Sequence, residues 1–293
     1  MELRHIRYFL TVAEEGSFTR AAEKLMIAQP PLSRQIKDLE EELGTPLFVR
    51  KAKGLQLTEA GNRFRQYAAQ IDHLARQSAE ELLQMDKGLQ GTLYLATVEG
   101  RAPRLLSEWI AGFHEKYPYV QYNLWNGNSD DVANRVNNGL CDMAVITSPY
   151  DHESLSGIEI CREPWIAMLP KDHPLSGEEG STIELSKLAP YELMIPSRHS
   201  RRQEIEGWFA PLGLKPRIIC RIAHMLNAYE LTAHGLGIAI YPAAAAYYAG
   251  DDVVIKELVS PRVEATYVFV RNNERELSKL SREFWEYVGE RIS

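Results

Sequence analysis

The chain has 293 residues, 45% of them hydrophobic, and a formal net charge of −7. That length accommodates two or three domains with real cores, and that hydrophobic content excludes disorder as the default. The opening Met-Glu-Leu-Arg-His carries no apolar targeting segment and no membrane-length run follows, so a cytoplasmic protein with no membrane partner is expected.

The charge is unevenly spread. Residues 1–65 hold 11 Lys/Arg against 9 Asp/Glu, a balance of +2, while the remainder hold 22 against 31, a balance of −9. The acidic later region is disfavoured as a DNA contact, and the modest +2 means that placement, not net charge, must carry any case for DNA binding. Cys141, Cys161 and Cys220 are widely spaced and fit no metal pattern. They read as buried thiols of a reducing compartment, and with no ligand spacing among the eight histidines neither a metal nor a cofactor is expected.

Leu3, Ile6, Phe9, Leu10 and Ala13 give a first helix its buried stripe. Gly16-Ser17 ends it, and Ser17 is placed to cap a short helix from Phe18 to Leu25, where Ala21-Ala22 let another helix cross closely. A turn over Met26 to Gln29 leads to a helix opening at Pro30, where paired prolines are tolerated because the first helical N–H groups lack partners anyway. Leu32, Ile36, Leu39 and Leu43 supply its apolar face, and Ser33, Arg34 and Lys37 put donors on another. Short helix, tight turn and donor-rich helix are the arrangement that lays a second helix in the major groove of double-stranded DNA. Gln29 and Arg34 are expected to read bases beside Pro30, with Ser33 and Lys37 on phosphates.

Pro46 to Arg50 and Leu55 to Leu57 read as two short strands, with Lys51 to Gly54 as the turn between them. Arg50 and Lys53 on this wing would lie beside phosphates and add sequence-independent affinity. Thr58 is placed to cap a long helix from Glu59 to about Lys87. Phe64, Tyr67, Ile71, Leu74, Ser78, Leu82 and Met85 recur along it at alternating spacings of three and four, a near-heptad seam. A small winged unit cannot cover such a rod. Pairing with the same helix of a second chain through Phe64, Tyr67, Ile71 and Leu74 is the simplest solution, and an internal core helix is the alternative.

Beyond Gly88, strands and helices alternate, which predicts α/β architecture with a mostly parallel sheet. Strands are expected at Leu93–Val98, Tyr119–Trp125 and Cys141–Ile146, with helices near Pro103–Lys116 and from Asp130 to Asn138, the latter capped by Ser129. Further strands are expected at Trp165–Leu169, Leu193–Ile195, Ile218–Ile222 and Tyr267–Val270. Helices are expected over about Ser200–Leu212, Met225–Ala233 and Leu277–Val288. Gly235 to Ile240 repeats the pattern of Gly139 to Ile146, a helix stop running into a buried strand, so two similar lobes are expected.

The ordered motifs Leu3 to Phe9, Ser17 to Ala22, Gln29 to Ile36, Leu39 to Gly44, Leu47 to Arg50 and Leu57 to Gly61 resemble the LysR-type transcriptional regulators. The Ala28–Ile36 segment is most similar to the benzoate- and muconate-responsive members. The resemblance spans the chain and is strongest to about Gly61. It implies a winged helix-turn-helix DNA-binding domain over 1–58, a linker and dimerisation helix over 59–88, and a two-lobed effector-binding domain over 89–293 resembling periplasmic binding proteins. Lobe one would comprise 92–162 and 267–293, and lobe two 163–266. It further implies a dimer or tetramer on promoter DNA, a small-molecule effector that alters DNA bending, and contact with RNA polymerase.

An effector would sit beyond the carboxyl ends of the strands and against helix N-termini, which favour an anion. The candidates are Thr97, Glu99, Gly100 and Arg101 in the first loop, Asn128, Ser129 and Thr147 opposite, and Ser197, Arg198 and His224 in the second lobe. Arg198 or Arg101 would add charge to a small anionic or zwitterionic metabolite. Ser129 and Ser200 serve equally as helix caps. Glu99 departs from the family's usual Ser or Thr, and either faces an ammonium group or pairs with Arg101. Arg201-Arg202 read as a solvated helix face. A solute-binding protein fits the two lobes but not the helix-turn-helix. No nucleophile elbow, dinucleotide fingerprint, P-loop or metal triad supports an enzyme.

Overall fold

The computed structural model describes residues 1–51, 54–83 and 89–292. The chain divides into two compact units, one over Met1–Gly88 with Asn138–Leu140 and the other over Leu89–Asn137 and Cys141–Ser293. Lys53 of the wing and Met85 of the seam lie outside the described residues, as does the side chain of Leu82.

The first unit runs α1 (Leu3–Glu15), α2 (Phe18–Leu25), α3 (Gln29–Leu43), β1 (Phe48–Lys51), β2 (Gly54–Leu57) and α4 (Glu59–Leu83). Gly16 closes α1 in the left-handed conformation at φ 58°, and the Ser17 side chain caps α2 by accepting from the Arg20 N–H. The core gathers Ile6, Phe9 and Val12 of α1, Ala21 and Ala22 of α2, and Leu32, Ile36 and Leu39 of α3. Two edges of the expected stripes are corrected. Leu3 and Leu43 are exposed because each sits at a helix end beyond the crossing, while Val12 completes the buried face of α1.

Two contacts fix the wing. Glu40 Oε1 of α3 accepts the backbone N–H groups of Leu47 and Phe48 at 2.6 and 3.0 Å, so the donor-bearing helix itself anchors β1. Thr58 caps α4 by accepting from Gly61 N–H, and a Cβ at Gly61 would stand 2.0 Å from the Leu47 carbonyl oxygen. Helix α4 rests on α1 through Phe64, Ala68 and Asp72. Asp72 accepts from Arg7 at 2.6 Å and pairs with Arg76 at 2.6 Å. Burial alone would raise the Asp72 carboxyl, but the two guanidinium hydrogen bonds outweigh it and hold the group below the ordinary carboxylate range.

The second unit is built on one mixed sheet. Its first half alternates β3 (Gly91–Thr97), α5 (Ala102–Lys116), β4 (Val120–Asn126), α6 (Ser129–Asn137) and β5 (Met143–Thr147). The 16-residue β6 (Leu155–Pro170) then runs on through β7 (Thr182–Glu184), α7 (Leu185–Leu188), β8 (Glu192–Pro196), α8 (His199–Phe209), β9 (Arg217–Ile222), α9 (Met225–Ala233), β10 (Ile238–Pro242) and β11 (Val253–Val259). The return is β12 (Glu264–Asn272), followed by α10 (Lys279–Ile292), and the strands lie in the order β4-β3-β5-β12-β6-β10-β8-β9.

Strands β3, β4 and β5 are mutually parallel, as are β8, β9 and β10, but β6 and β12 run antiparallel through the middle. The expected mostly parallel sheet is therefore two parallel halves joined by an antiparallel pair. At about 3.3 Å per residue, β6 is roughly 50 Å long and serves both halves. Residues 155–164 pair with β12, and 165–170 pair with β10 and β11. The cores separate at the same point. One holds Phe113, Ile146, Phe269 and Phe284 from the first half and the return, and the others hold Trp165, Met194, Ile195, Phe209 and Ile240. Gly139 and Gly235 take positive φ ahead of β5 and β10 alike. Cys141 is buried, and Cys161 and Cys220 are half-buried rather than fully so.

Candidate functional site

On the first unit, α3 begins at Gln29, not Pro30, with Ala28 as its N-cap and the prolines in its first turn. Arg34 and Pro30 are exposed, and Gln29 and Ser33 half-buried. Pro30, Arg34, Gln35 and Asp38 line one shallow groove with Arg4 and Tyr8. Gln29 and Arg50 line a second, which Ser17 and Thr19 of the α2 start share with the wing. Hydroxyls, a guanidinium and the α2 N-terminus thus meet on one concave face, a set of groups that holds phosphate. Lys37 is exposed and pairs with Glu41 at 3.3 Å, a surface contact that contributes little and that a phosphate would replace.

Along α4, Tyr67, Ile71 and Leu74 are exposed, with Ser78 following on the same strip. Phe64 is corrected: its ring meets Phe9 edge-on at 4.8 Å inside the winged core, so it holds α4 to α1.

In the second unit a cavity of about 90 Å³ lies between the two parallel halves. Of the expected residues, Glu99, Asn128, Ser129, Thr147, Ser197, Arg198 and His224 line it, whereas Thr97, Gly100 and Arg101 do not. Thr97 is buried and spends its hydroxyl on the Val98 carbonyl. Gly100 is structural, because at φ 88° an added Cβ would stand 2.6 Å from the Tyr267 hydroxyl. Arg101 contributes its backbone N–H, which donates to that same hydroxyl at 3.2 Å. The Tyr267 hydroxyl donates in turn to the buried Glu163 at 2.8 Å. Burial pushes the Glu163 carboxyl above its ordinary value, against the lowering effect of Tyr267 and the Ala244 N–H.

Several polar groups on the wall are already engaged. Asn128, not Ser129, caps α6 by accepting from the Asp130 and Asp131 N–H groups, and the Ser129 hydroxyl bonds to Thr147. Arg198 reaches across the cavity to Asp130 at 2.7 Å and to the carbonyls of Thr147 and Pro149. Burial lowers its pKa, with Asp130 opposing, but a guanidinium stays charged at neutral pH. Glu99 pairs with neither Arg101 nor open space. Its oxygens take the His224 ring at 2.7 Å and the Met225 N–H at 2.7 Å, so a carboxylate of the chain itself occupies the α9 N-terminus. Both contacts, Arg198 to Asp130 and Glu99 to α9, tie the two halves together.

Arg201 is not solvated. Arg201, Ile205 and Phe209 are the buried face of α8, and Arg201 lines the cavity with Trp165, Tyr241 and Met225. The spacing of four between these three positions was visible in the sequence.

A winged helix-turn-helix with exposed donors, followed by a two-halved domain around a small cavity, defines a DNA-binding regulator with a ligand-binding domain. The sequence agrees. Residues 3–62 match the bacterial regulatory helix-turn-helix protein, lysR family, and residues 86–293 match the LysR substrate binding domain. The chain is 34% identical over 248 residues to the regulator YnfL of Escherichia coli, 83% of each chain. It is 28% identical to BenM of Acinetobacter baylyi, over 99% of this chain and 98% of that one. The crystal structure of CbnR, a LysR family transcriptional regulator, superimposes at TM-score 0.80 with 27% identity over 100% of both chains. Full-length CbnR in complex with its target DNA gives 0.77 with 28% identity, also over 100% of both. The chain belongs to the LysR family of transcriptional regulators. Among the described residues no helix is long and apolar enough to cross a membrane, and no group of His, Cys, Asp and Glu could hold a metal ion.

Proposed function

We propose that this regulator acts in the cytoplasm as a dimer or tetramer on promoter DNA, over a division into 1–58, 59–88 and 89–293, with lobes of 92–162 plus 267–293 and 163–266. Arg34 and Gln29 of α3 read base edges, and Ser33, Lys37, Arg50 and Lys53 hold phosphates. Tyr67, Ile71 and Leu74 pair α4 with a second copy. A small ligand bears on Glu99, Ser197 and their neighbours in the cavity and shifts the arrangement of the lobes. That shift changes the DNA bend and the approach of RNA polymerase, and the ligand acts only through different affinities for the two arrangements.

The observation that carries the DNA reading is the exposed Arg34 guanidinium on a helix whose opposite face, Leu32, Ile36 and Leu39, is fully committed to the core. Titration of labelled duplex selected by the wild-type chain from a randomised pool tests it. Arg34→Ala is expected to lose about 1–3 kcal/mol on the selected site and far less on random duplex. Equal affinity of both proteins for the selected site would remove Arg34 from base readout.

A further inference from the structure

Two buried donors on the cavity wall have no partner among the described residues. Trp165 is 0% exposed and its Nε1 bonds to none of them. Arg201 is 5% exposed, gives Nη1 to Glu204 Oε2 at 2.5 Å and leaves Nη2 unpaired. They are neighbours, with the guanidinium carbon 5.3 Å from the Trp165 ring centroid. Buried N–H groups are almost always paired, so two side by side at a cavity mark the place of an absent acceptor. A carboxylate presents two oxygens to two such donors.

The remaining wall limits the charge that can enter. Arg198 is neutralised by Asp130, Arg201 is shared with Glu204, and Glu99 brings a carboxylate to the α9 N-terminus. A second acid group on the ligand would find the helix end taken and a like charge in its place. Ile222 and Met225 offer apolar surface for the rest of the molecule. Resting on the reading of this cavity as the effector site, we propose that the effector is a small monocarboxylic acid with an uncharged body. Its carboxylate accepts from Trp165 Nε1 and Arg201 Nη2, and Glu99 excludes dicarboxylates.

Calorimetry on the full chain tests this with straight-chain monocarboxylates from acetate to hexanoate, the matching primary amides and the matching α,ω-dicarboxylates. At least one monocarboxylate is expected to bind, with its amide and its dicarboxylate at least tenfold weaker. Trp165→Phe keeps the ring and loses the donor, and should weaken binding about fivefold; Arg201→Gln should weaken it tenfold or more. An unchanged thermal midpoint shows that each variant is folded. The proposal is overturned if no monocarboxylate binds, if amides or dicarboxylates bind as well, or if both variants bind like wild type. In that last case Ile222→Phe, which narrows the cavity, separates the two readings. Loss of binding would leave the cavity as the effector site with different chemistry, and retained binding would remove the cavity reading as well.

Discussion

Leu74→Asp probes the α4 seam most sharply. Tyr67, Ile71 and Leu74 are 52, 36 and 57% exposed in the single chain. Full burial of a leucine is worth about 1.5–3 kcal/mol, so the exposed half of Leu74 has about 1–1.5 kcal/mol still to gain. A two-fold contact uses each residue twice, which makes about 2–3 kcal/mol per dimer from Leu74 alone. Aspartate forfeits that gain and places two like charges in a desolvated contact, at a cost of several kcal/mol more. The dimer dissociation constant should rise at least about a thousandfold, whereas Leu74→Ala, losing only the contact, should raise it about thirtyfold. Sedimentation velocity over a dilution series reads both. Circular dichroism would show whether the helices persist. A folded Leu74→Asp chain that sediments as the wild type at low micromolar concentration would refute the self-pairing of this strip.

Gly61→Ala should destabilise the winged unit by about 1–3 kcal/mol, because its Cβ collides with the Leu47 backbone and neither α4 nor β1 can yield without losing the Thr58 and Glu40 contacts; denaturation followed by circular dichroism checks it. Asp72→Asn should cost about 1–2 kcal/mol at pH 7. Since the folded carboxyl titrates below its unfolded value, that stabilisation is complete above the unfolded pKa and disappears as the pH falls through the folded one. The difference between the two proteins should therefore shrink in unfolding curves taken at pH 3, and a difference that persists there would mean that charge is not its source.

The parts most legible in the sequence were those governed by local periodicity. The spacing of Ile6 and Phe9, of Leu32, Ile36 and Leu39, and the glycines before β5 and β10 each follow from one helix or one strand. What escaped depends on partners far along the chain. Strand β6 continues through both cores because β12 pairs with its first half, a contact more than a hundred residues away, so Trp165 to Leu169 read as a separate strand. Phe64 belongs to the heptad pattern and also to Phe9, and only the packing of α1 on α4 decides between them. Glu99, Arg198 and Asn128 line the cavity, but hydrogen bonds across it engage Glu99 and Arg198, and the cap of α6 engages Asn128. Charged residue types suggested ligand contacts where the fold uses them as ties and caps. Arg201 was misread for the opposite reason: its charge outweighed a spacing that already placed it inward.

Coupling between the lobes and bound DNA is measured most directly without knowing the effector. Arg198→Ala removes the tie from the second lobe to Asp130, Thr147 and Pro149 while leaving α3 and the wing untouched. The bend of an end-labelled selected duplex, read by energy transfer, is expected to differ between wild-type and Arg198→Ala chains, with the base preference of the site unchanged. The same bend and the same affinity for both proteins, in a variant of unchanged thermal stability, would contradict control of the DNA by the arrangement of the lobes.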